Sequence, residues 1–301
     1  EIRNCDWSSD VCSSDLELEA FEYSVTDQGN VRSGAPYGYH DDCVIALALA
    51  ACGGSSESPA SSEGQQTNDL GISCESGSIS ASGSSAQANA IAEWVIAYQT
   101  ACPDSTIDYS PTGSGAGIEA FISGQTAFGG SDKPASDEEL AQAPCEAVNI
   151  PLVGGEVVVV YNLDADVALS KEQVQGIFSS EITNWNEIDG SLPDASIVQF
   201  HRSDSSGTTA NFAAWLGWDG GKEWTYPGGQ GSKGSEGVLA SVVNTPNSIG
   251  YVDLSYFYDS GVNRAELPEN IDYYTYELIC TSGNDALTKS FLAFAASEEG
   301  Q

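Results

Sequence analysis

From Gly71 onward, short apolar runs suited to strands alternate with amphipathic stretches suited to helices, and this alternation predicts an α/β fold. Two further observations agree with it. Ser/Gly-rich helix starts stand where several strand-like runs hand over to helix-like ones. At 301 residues and 41% hydrophobic content, the chain is also long enough to bury more than one core, which predicts two lobes.

The elements follow in order. Ser78–Ala81 reads as a strand, and Gln87–Ala101 as a helix with Ile91, Trp94, Val95 and Tyr98 on one face, ended by Pro103. Strands are predicted at Thr106–Tyr109, Val148–Leu152 and Glu156–Tyr161, with helices at Ile118–Ser123 and Lys171–Phe178. Ser196–Phe200 is a further strand feeding a helix at Asn211–Leu216, and Ser248–Val252 begins the return. In such folds ligands bind beyond the C-terminal ends of the strands.

Composition narrows the function. The 44 acidic and 9 basic residues give a net charge of −35, which repels nucleic-acid phosphates and anionic lipid and suits a salt-rich medium. Of the eight cysteines, Cys74, Cys102, Cys145 and Cys280 fall in the body of the chain and fit two extracytoplasmic disulfides. Three pairings are open, and Cys102–Cys145 with Cys74–Cys280 is the expected one. A zinc site would be the other use, but no Cys-x-x-Cys pair supports it.

The first 51 residues are expected to be foreign to the protein. Asp6–Leu16 lacks periodicity and resembles the conceptual translation of a sequencing-library adapter. Phe21–Ala48, with His40-Asp41-Asp42, resembles the C-terminal end of the nuclease domain of phage terminase large subunits, without the remaining acids such a site needs. Leu49-Ala50-Ala51-Cys52-Gly53 then matches a lipobox, making Cys52 the candidate lipidation site, and the Ser/Glu/Gly/Gln-rich residues up to about 70 read as a disordered tether.

The chemistry concentrates in three helix starts. Ser82-Gly83-Ser84-Ser85-Ala86, Gly113-Ser114-Gly115-Ala116-Gly117 and Ser205-Ser206-Gly207-Thr208-Thr209 each lie between a strand and a helix. A helix start offers unpaired N–H groups and the positive end of the macrodipole, Gly permits close approach, and Ser or Thr adds a hydroxyl donor. Each is an anion site in prospect. Arg202, just before the third start, carries a planar fork that can hold two oxygens of an oxyanion, and Asp204 is placed to orient it. Phe128-Gly129-Gly130-Ser131-Asp132 runs a strand into a carboxylate. An ionised Asp only accepts, so Asp132 would favour phosphate, which keeps an O–H to donate, over sulfate, which has none. A hydrolase is disfavoured: no Gly-x-Ser-x-Gly elbow is present, and His201 is the only histidine outside the foreign stretch.

Gly113–Gly117, Phe128–Asp132, Ile182-Thr183-Asn184-Trp185 and His201–Thr209 together resemble motifs of the phosphate-binding subunit of the Pst phosphate transporter. The resemblance runs from about Gly71 to the end. It implies a two-lobe type II periplasmic solute-binding fold with two interdomain crossings, lobe 1 comprising 71–155 and 248–301 and lobe 2 comprising 156–247. It implies phosphate as ligand, ABC permease subunits as partners, no cofactor and no metal, in an extracytoplasmic, lipid-anchored monomer. The implied phosphate ligands are Ser85, Ala86, Ser114, Asp132, Arg202, Ser206, Gly207 and Thr208, with Asp204 behind the arginine. Another oxyanion such as sulfate or molybdate is the nearest alternative ligand, and a phosphatase a more remote one. Family members continue past Ser297–Gln301, so the chain is expected to be cut short at a cost in stability rather than in the site.

The surface charge and the local donors oppose one another, and range decides between them. Surface charges are screened over about 10 Å, whereas buried charge-assisted hydrogen bonds act at contact. Association with phosphate is therefore expected to speed up as salt is added, in stopped-flow measurements; slowing with salt would mean that the anion is attracted from a distance.

Overall fold

The computed structural model describes residues 74–258, 260–297 and 300, together with a short antiparallel pair formed by β1 (Glu22–Val25) and β2 (Val31–Gly34). Apart from that pair, the expectations for 1–51, for Cys52 and for the tether to residue 70 lie outside the described residues.

The body is α/β, as the alternation predicts. β3 (Gly77–Gly83) pairs in parallel with β4 (Ser105–Ser110) on one side and β5 (Phe128–Ser131) on the other. α1 (Ala88–Ala101) and α2 (Ser114–Ile122) connect them. α1 forms where its apolar spacing places it: Ile91, Trp94 and Tyr98 are buried, packed with Ile79, Ile107 and Phe128. A short α3 (Asp137–Leu140) is held by a capping box, in which Ser136 and Glu139 satisfy each other's backbone amides.

The chain then enters β6 (Ala147–Asn162), a single strand of 16 residues where the sequence suggested two. Gly154 and Gly155 lie between the two expected runs. They do not break the strand, because they pair with Tyr274 and Tyr273 of β11 (Ile271–Cys280), and the Tyr273 ring occupies the space a side chain at 155 would need. The N-terminal part of β6 pairs with β11, which in turn pairs with β5. Its C-terminal part, Val157–Asn162, pairs with β9 (Ser248–Asp253).

Through β6 the chain reaches a second group of strands. β9 runs parallel to β7 (Val198–Arg202), and β7 runs parallel to β8 (Gln230–Ser232). The two-residue β10 (Asn263–Arg264) pairs with β6. α4 (Lys171–Phe178), α5 (Gly207–Trp215) and α6 (Gly234–Val243) accompany these strands. Their core gathers Val157, Val159, Phe178, Trp185, Phe212 and Tyr251. Trp185, from the Ile182–Trp185 motif, is fully buried and donates its indole N–H to Asn247 O at 3.1 Å. β11 brings the chain back to the first group, and α7 (Ala286–Ala295) packs Phe291 and Phe294 against Tyr98.

Three expectations need correction. The helices expected at 118–123 and 211–216 begin four residues earlier, at Ser114 and Gly207, so the Ser/Gly segments read as helix starts lie partly within the helices and supply their first turns. Ser248–Asp253, expected to rejoin the first lobe, is hydrogen-bonded between β6 and β7; of the strands from 248 onward, β11 is the one that pairs with β5. The disulfides are Cys74–Cys102 and Cys145–Cys280, not the expected pairs. Strand register explains the second, since Cys280 stands opposite Ala147, two residues from Cys145, at the end of the β6–β11 ladder. Replacing Cys145 and Cys280 by serine together is expected to cost about 2–5 kcal/mol, read as a lower Tm. An unchanged Tm would show that the ladder holds without the crosslink.

Candidate anion-binding site

The three Ser/Gly helix starts and β5 converge on Asp132, which is 2% exposed. Ser84 Oγ donates to its Oδ1, and Thr208 Oγ1 donates to its Oδ2 at 3.0 Å. The Asp132 backbone N–H donates to Ser114 Oγ at 3.2 Å, and Asn211 donates to its carbonyl at 2.7 Å. Ser84 comes from the turn after β3, Ser114 from the start of α2, and Thr208 and Asn211 from α5. This closeness needs glycine at 207: a Cβ there would stand 2.7 Å from both the Asp132 Cβ and Ser114 Oγ.

Arg202 is 1% exposed at the end of β7. Asp204 grips one side of its guanidinium, accepting from Nε at 2.8 Å and Nη2 at 2.5 Å, while Nη1 reaches Ser235 Oγ at 3.4 Å. Asp204 also accepts from the Gly234 amide at 3.1 Å. Holding two of the guanidinium's nitrogens leaves its remaining N–H bonds to point in fixed directions. Ser235 extends the set to the first loop, since its amide donates to Ser85 Oγ at 3.1 Å.

All eight candidate residues thus belong to one contiguous cluster, with Asp204 behind the arginine. Two of them have a visible structural task as well. Ser206 caps α5 by accepting from the Thr209 amide at 3.1 Å, and the Ala86 amide donates to Ser84 Oγ at 3.0 Å. The N–H groups of Gly207 and Thr208, in the first turn of α5, have no intrahelical acceptor by the geometry of a helix start.

Sequence reasoning missed Ser84, Asn211, Tyr251 and the start of α6. The last had a signal, because Lys233-Gly234-Ser235 is another Gly/Ser segment between a strand and a helix. Tyr251 had none: its hydroxyl accepts from the Arg202 amide at 3.3 Å and shares a hydrogen bond with Thr209 at 2.8 Å, which only the pairing of β9 with β7 could reveal.

Burial dominates the titration of Asp132. It pushes the carboxyl up to about 6, against the Ser84 and Thr208 hydrogen bonds and the Arg202 charge, which pull it down. For Asp204, burial again opposes ionisation, but the Arg202 hydrogen bonds and charge and the Gly234 amide outweigh it, so its carboxyl lies below the usual range. The folded state therefore binds the Asp132 proton more tightly than the unfolded chain does. The stability this confers is fully present below the unfolded value near 3.8 and is lost as pH rises through about 6. The gap corresponds to about 3 kcal/mol. Without phosphate, the Tm of Asp132→Asn relative to the parent is expected to shift in favour of the variant between pH 5 and pH 8. A difference that does not change with pH would mean that Asp132 titrates normally.

A family model described as a PBP superfamily domain matches residues 69–299. The phosphate-binding protein PstS 3 of Mycobacterium tuberculosis is 37% identical over 235 residues, covering 70% of this chain and 63% of the relative. PstS 3 of Mycobacterium leprae is 34% identical over 246 residues, covering 74% and 67%. The chain thus spans about two thirds of the length of these relatives, and slightly less of the first. A Clostridium perfringens structure described as a phosphate ABC transporter substrate-binding protein with bound phosphate superposes with a TM-score of 0.66 at 26% identity, over 75% of this chain and 95% of its own. An ABC-type phosphate transport receptor from Vibrio cholerae, at 21% identity and a TM-score of 0.55 over 73% and 94% of the two chains, shares the fold. On these matches, over a body with the same α/β architecture, the chain belongs to the PBP superfamily and, within it, to the family of the PstS proteins.

Proposed function

We propose that this protein captures inorganic phosphate outside the cytoplasm and delivers it to the permease of an ABC importer, without making or breaking a covalent bond. One observation carries the reading: a buried arginine fork and an acceptor-only carboxyl meet at the same helix starts. Arg202, the α5 amides of Gly207 and Thr208, the Ala86 amide and the hydroxyls of Ser85, Ser114 and Ser206 supply donors to phosphate oxygens, while the Thr208 hydroxyl holds Asp132. Asp132 accepts the phosphate O–H. Sulfate would present a bare oxygen to that carboxylate, leaving two like charges in contact away from water.

The two groups of strands act as lobes that close over the ligand. One lobe comprises 74–155 with β11 and α7, and the other runs from the C-terminal part of β6 through β10. Contacts away from the centre support closure: Lys222 pairs with Glu139 at 3.1 Å, and Lys133 donates to Gly220 O at 2.6 Å. The two disulfides suit an oxidising compartment. Among the described residues, no helix is long and apolar enough to cross a membrane. Attachment would come from a lipid on Cys52, which the lipobox and the tether support.

Calorimetry with phosphate and with sulfate tests the reading. Phosphate is expected to bind far more tightly. Arg202→Lys is expected to weaken phosphate binding by about tenfold or more, because a point charge cannot replace the fork. Asp132→Asn should narrow the gap between the two anions. Sulfate binding as tight as phosphate in the parent protein would overturn the assignment.

A further inference from the structure

Behind the anion site lies a second buried polar cluster that the binding role does not use directly. Glu277 in β11 is 1% exposed, and neither of its carboxyl oxygens has a hydrogen-bond partner among the described residues. Gln87 Oε1 is buried and equally unpartnered. Register brings the two together: Glu277 stands opposite Gly130 of β5, and opposed residues share a face with Cβ positions about 4.5–5.5 Å apart. A Cβ on Gly130 would lie 2.6 Å from Gln87 Oε1 and 2.5 Å from the Tyr109 hydroxyl. Glu277, Gln87 and Tyr109 therefore converge over one glycine.

An ionised carboxylate and an amide oxygen are both acceptors only, so they cannot satisfy each other. One proton resolves both unpaired groups. We propose that Glu277 is a neutral carboxylic acid that donates to Gln87 Oε1, that it thereby positions the two loops around Asp132, and that anion affinity depends on its keeping the proton.

The bracing can be followed outward. Gln87 Nε2 donates to Ser131 O and Tyr276 O, each at 3.4 Å, and Tyr109 donates to Ser84 O at 2.9 Å. Ser131 precedes Asp132, and Ser84 is the residue that donates to it. Glu277 is thus a positioning residue acting through Gln87. Its titration agrees: burial first, and the Asp132 charge second, push its carboxyl well above the usual range. Burial first, with the Glu277 and Asp132 carboxyls nearby, likewise pushes the Tyr109 phenol up. The titratable groups facing Glu277 are Tyr109 from β4 and Asp132 after β5. β6 presents apolar Ile150 opposite it, and α1 is preceded by uncharged Gln87. Ionising Glu277 would set a second negative charge behind Asp132 in the same buried region, where charges are poorly screened.

The affinity part of the proposal rests on the phosphate reading of the site, and the test separates the two. Kd for inorganic phosphate is measured from about pH 6 to about pH 9.5 for the full chain and for Glu277→Gln, whose amide N–H replaces the proton and cannot ionise. Phosphate's own ionisation is common to both, so the ratio of the two Kd values isolates Glu277. The ratio is expected to lie within about twofold at the acid end and to rise at least about tenfold against the parent at the alkaline end. Glu277→Leu, with no donor, should bind weakly at every pH, and Glu277→Gln should not. Infrared spectra near neutral pH should show the stretch of a buried protonated carboxyl that Glu277→Gln lacks. A Kd ratio independent of pH, or no such band, overturns the proposal. A parent protein that binds no phosphate would overturn the reading of the site, while the infrared band would still decide the state of Glu277.

Discussion

Ser84 and Thr208 donate to opposite oxygens of the Asp132 carboxyl, one from the strands that begin the body of the chain and the other from the helix that follows β7. Burying a carboxyl is unfavourable unless donors surround it. The donors come from both groups of strands, so the buried carboxyl bridges them. The local sequence follows from this demand. Glycine stands at 207 because α5 must start almost in contact with Asp132, and at 117 because α2 must lie against Gly83, whose Cα would be 2.3 Å from an added Cβ. Serines and threonines fill the turns because the shortest hydroxyl side chains are the donors that fit.

A chain with a net charge of −35 nevertheless keeps an arginine in its interior. Asp204 makes this tolerable by satisfying one side of the guanidinium, and the Gly234 amide satisfies Asp204 in turn. The result is a locally neutral pair whose directionality survives, which is how an acidic protein can present donors to an anion. Charge on the outside governs solubility and approach, and under the phosphate reading contact chemistry inside governs recognition.

The sequence shows local features far better than pairings across long separations. α1 was legible because Ile91, Trp94 and Tyr98 repeat at helical spacing, and the Arg202 and Asp132 segments because their residue types have few other uses in that order. β6 read as two strands because Gly154 and Gly155 look like a break until Tyr273 and Tyr274 are seen across from them. α2 and α5 were expected to begin four residues later than they do because the residues of their first turns are weak helix formers, recruited for hydrogen bonding and close approach rather than propensity. The Cys145–Cys280 disulfide, Tyr251 and Glu277 all depend on which strand lies beside which. Cys280 meets Cys145 only through the β6–β11 register, and Glu277 comes to face Gly130 only through the β5–β11 register.

The Cys145–Cys280 bond has a topological consequence. It joins residues 135 positions apart, and the whole second group of strands, from the C-terminal part of β6 to β10, lies between them. That group is therefore a covalently closed ring hung from the rest of the molecule. A protease that nicks any loop within it leaves a single connected molecule, with both edges of the cut still tethered at the ring's base. In the oxidising surroundings that such a bond implies, surface damage to this half opens the ring without shedding a fragment.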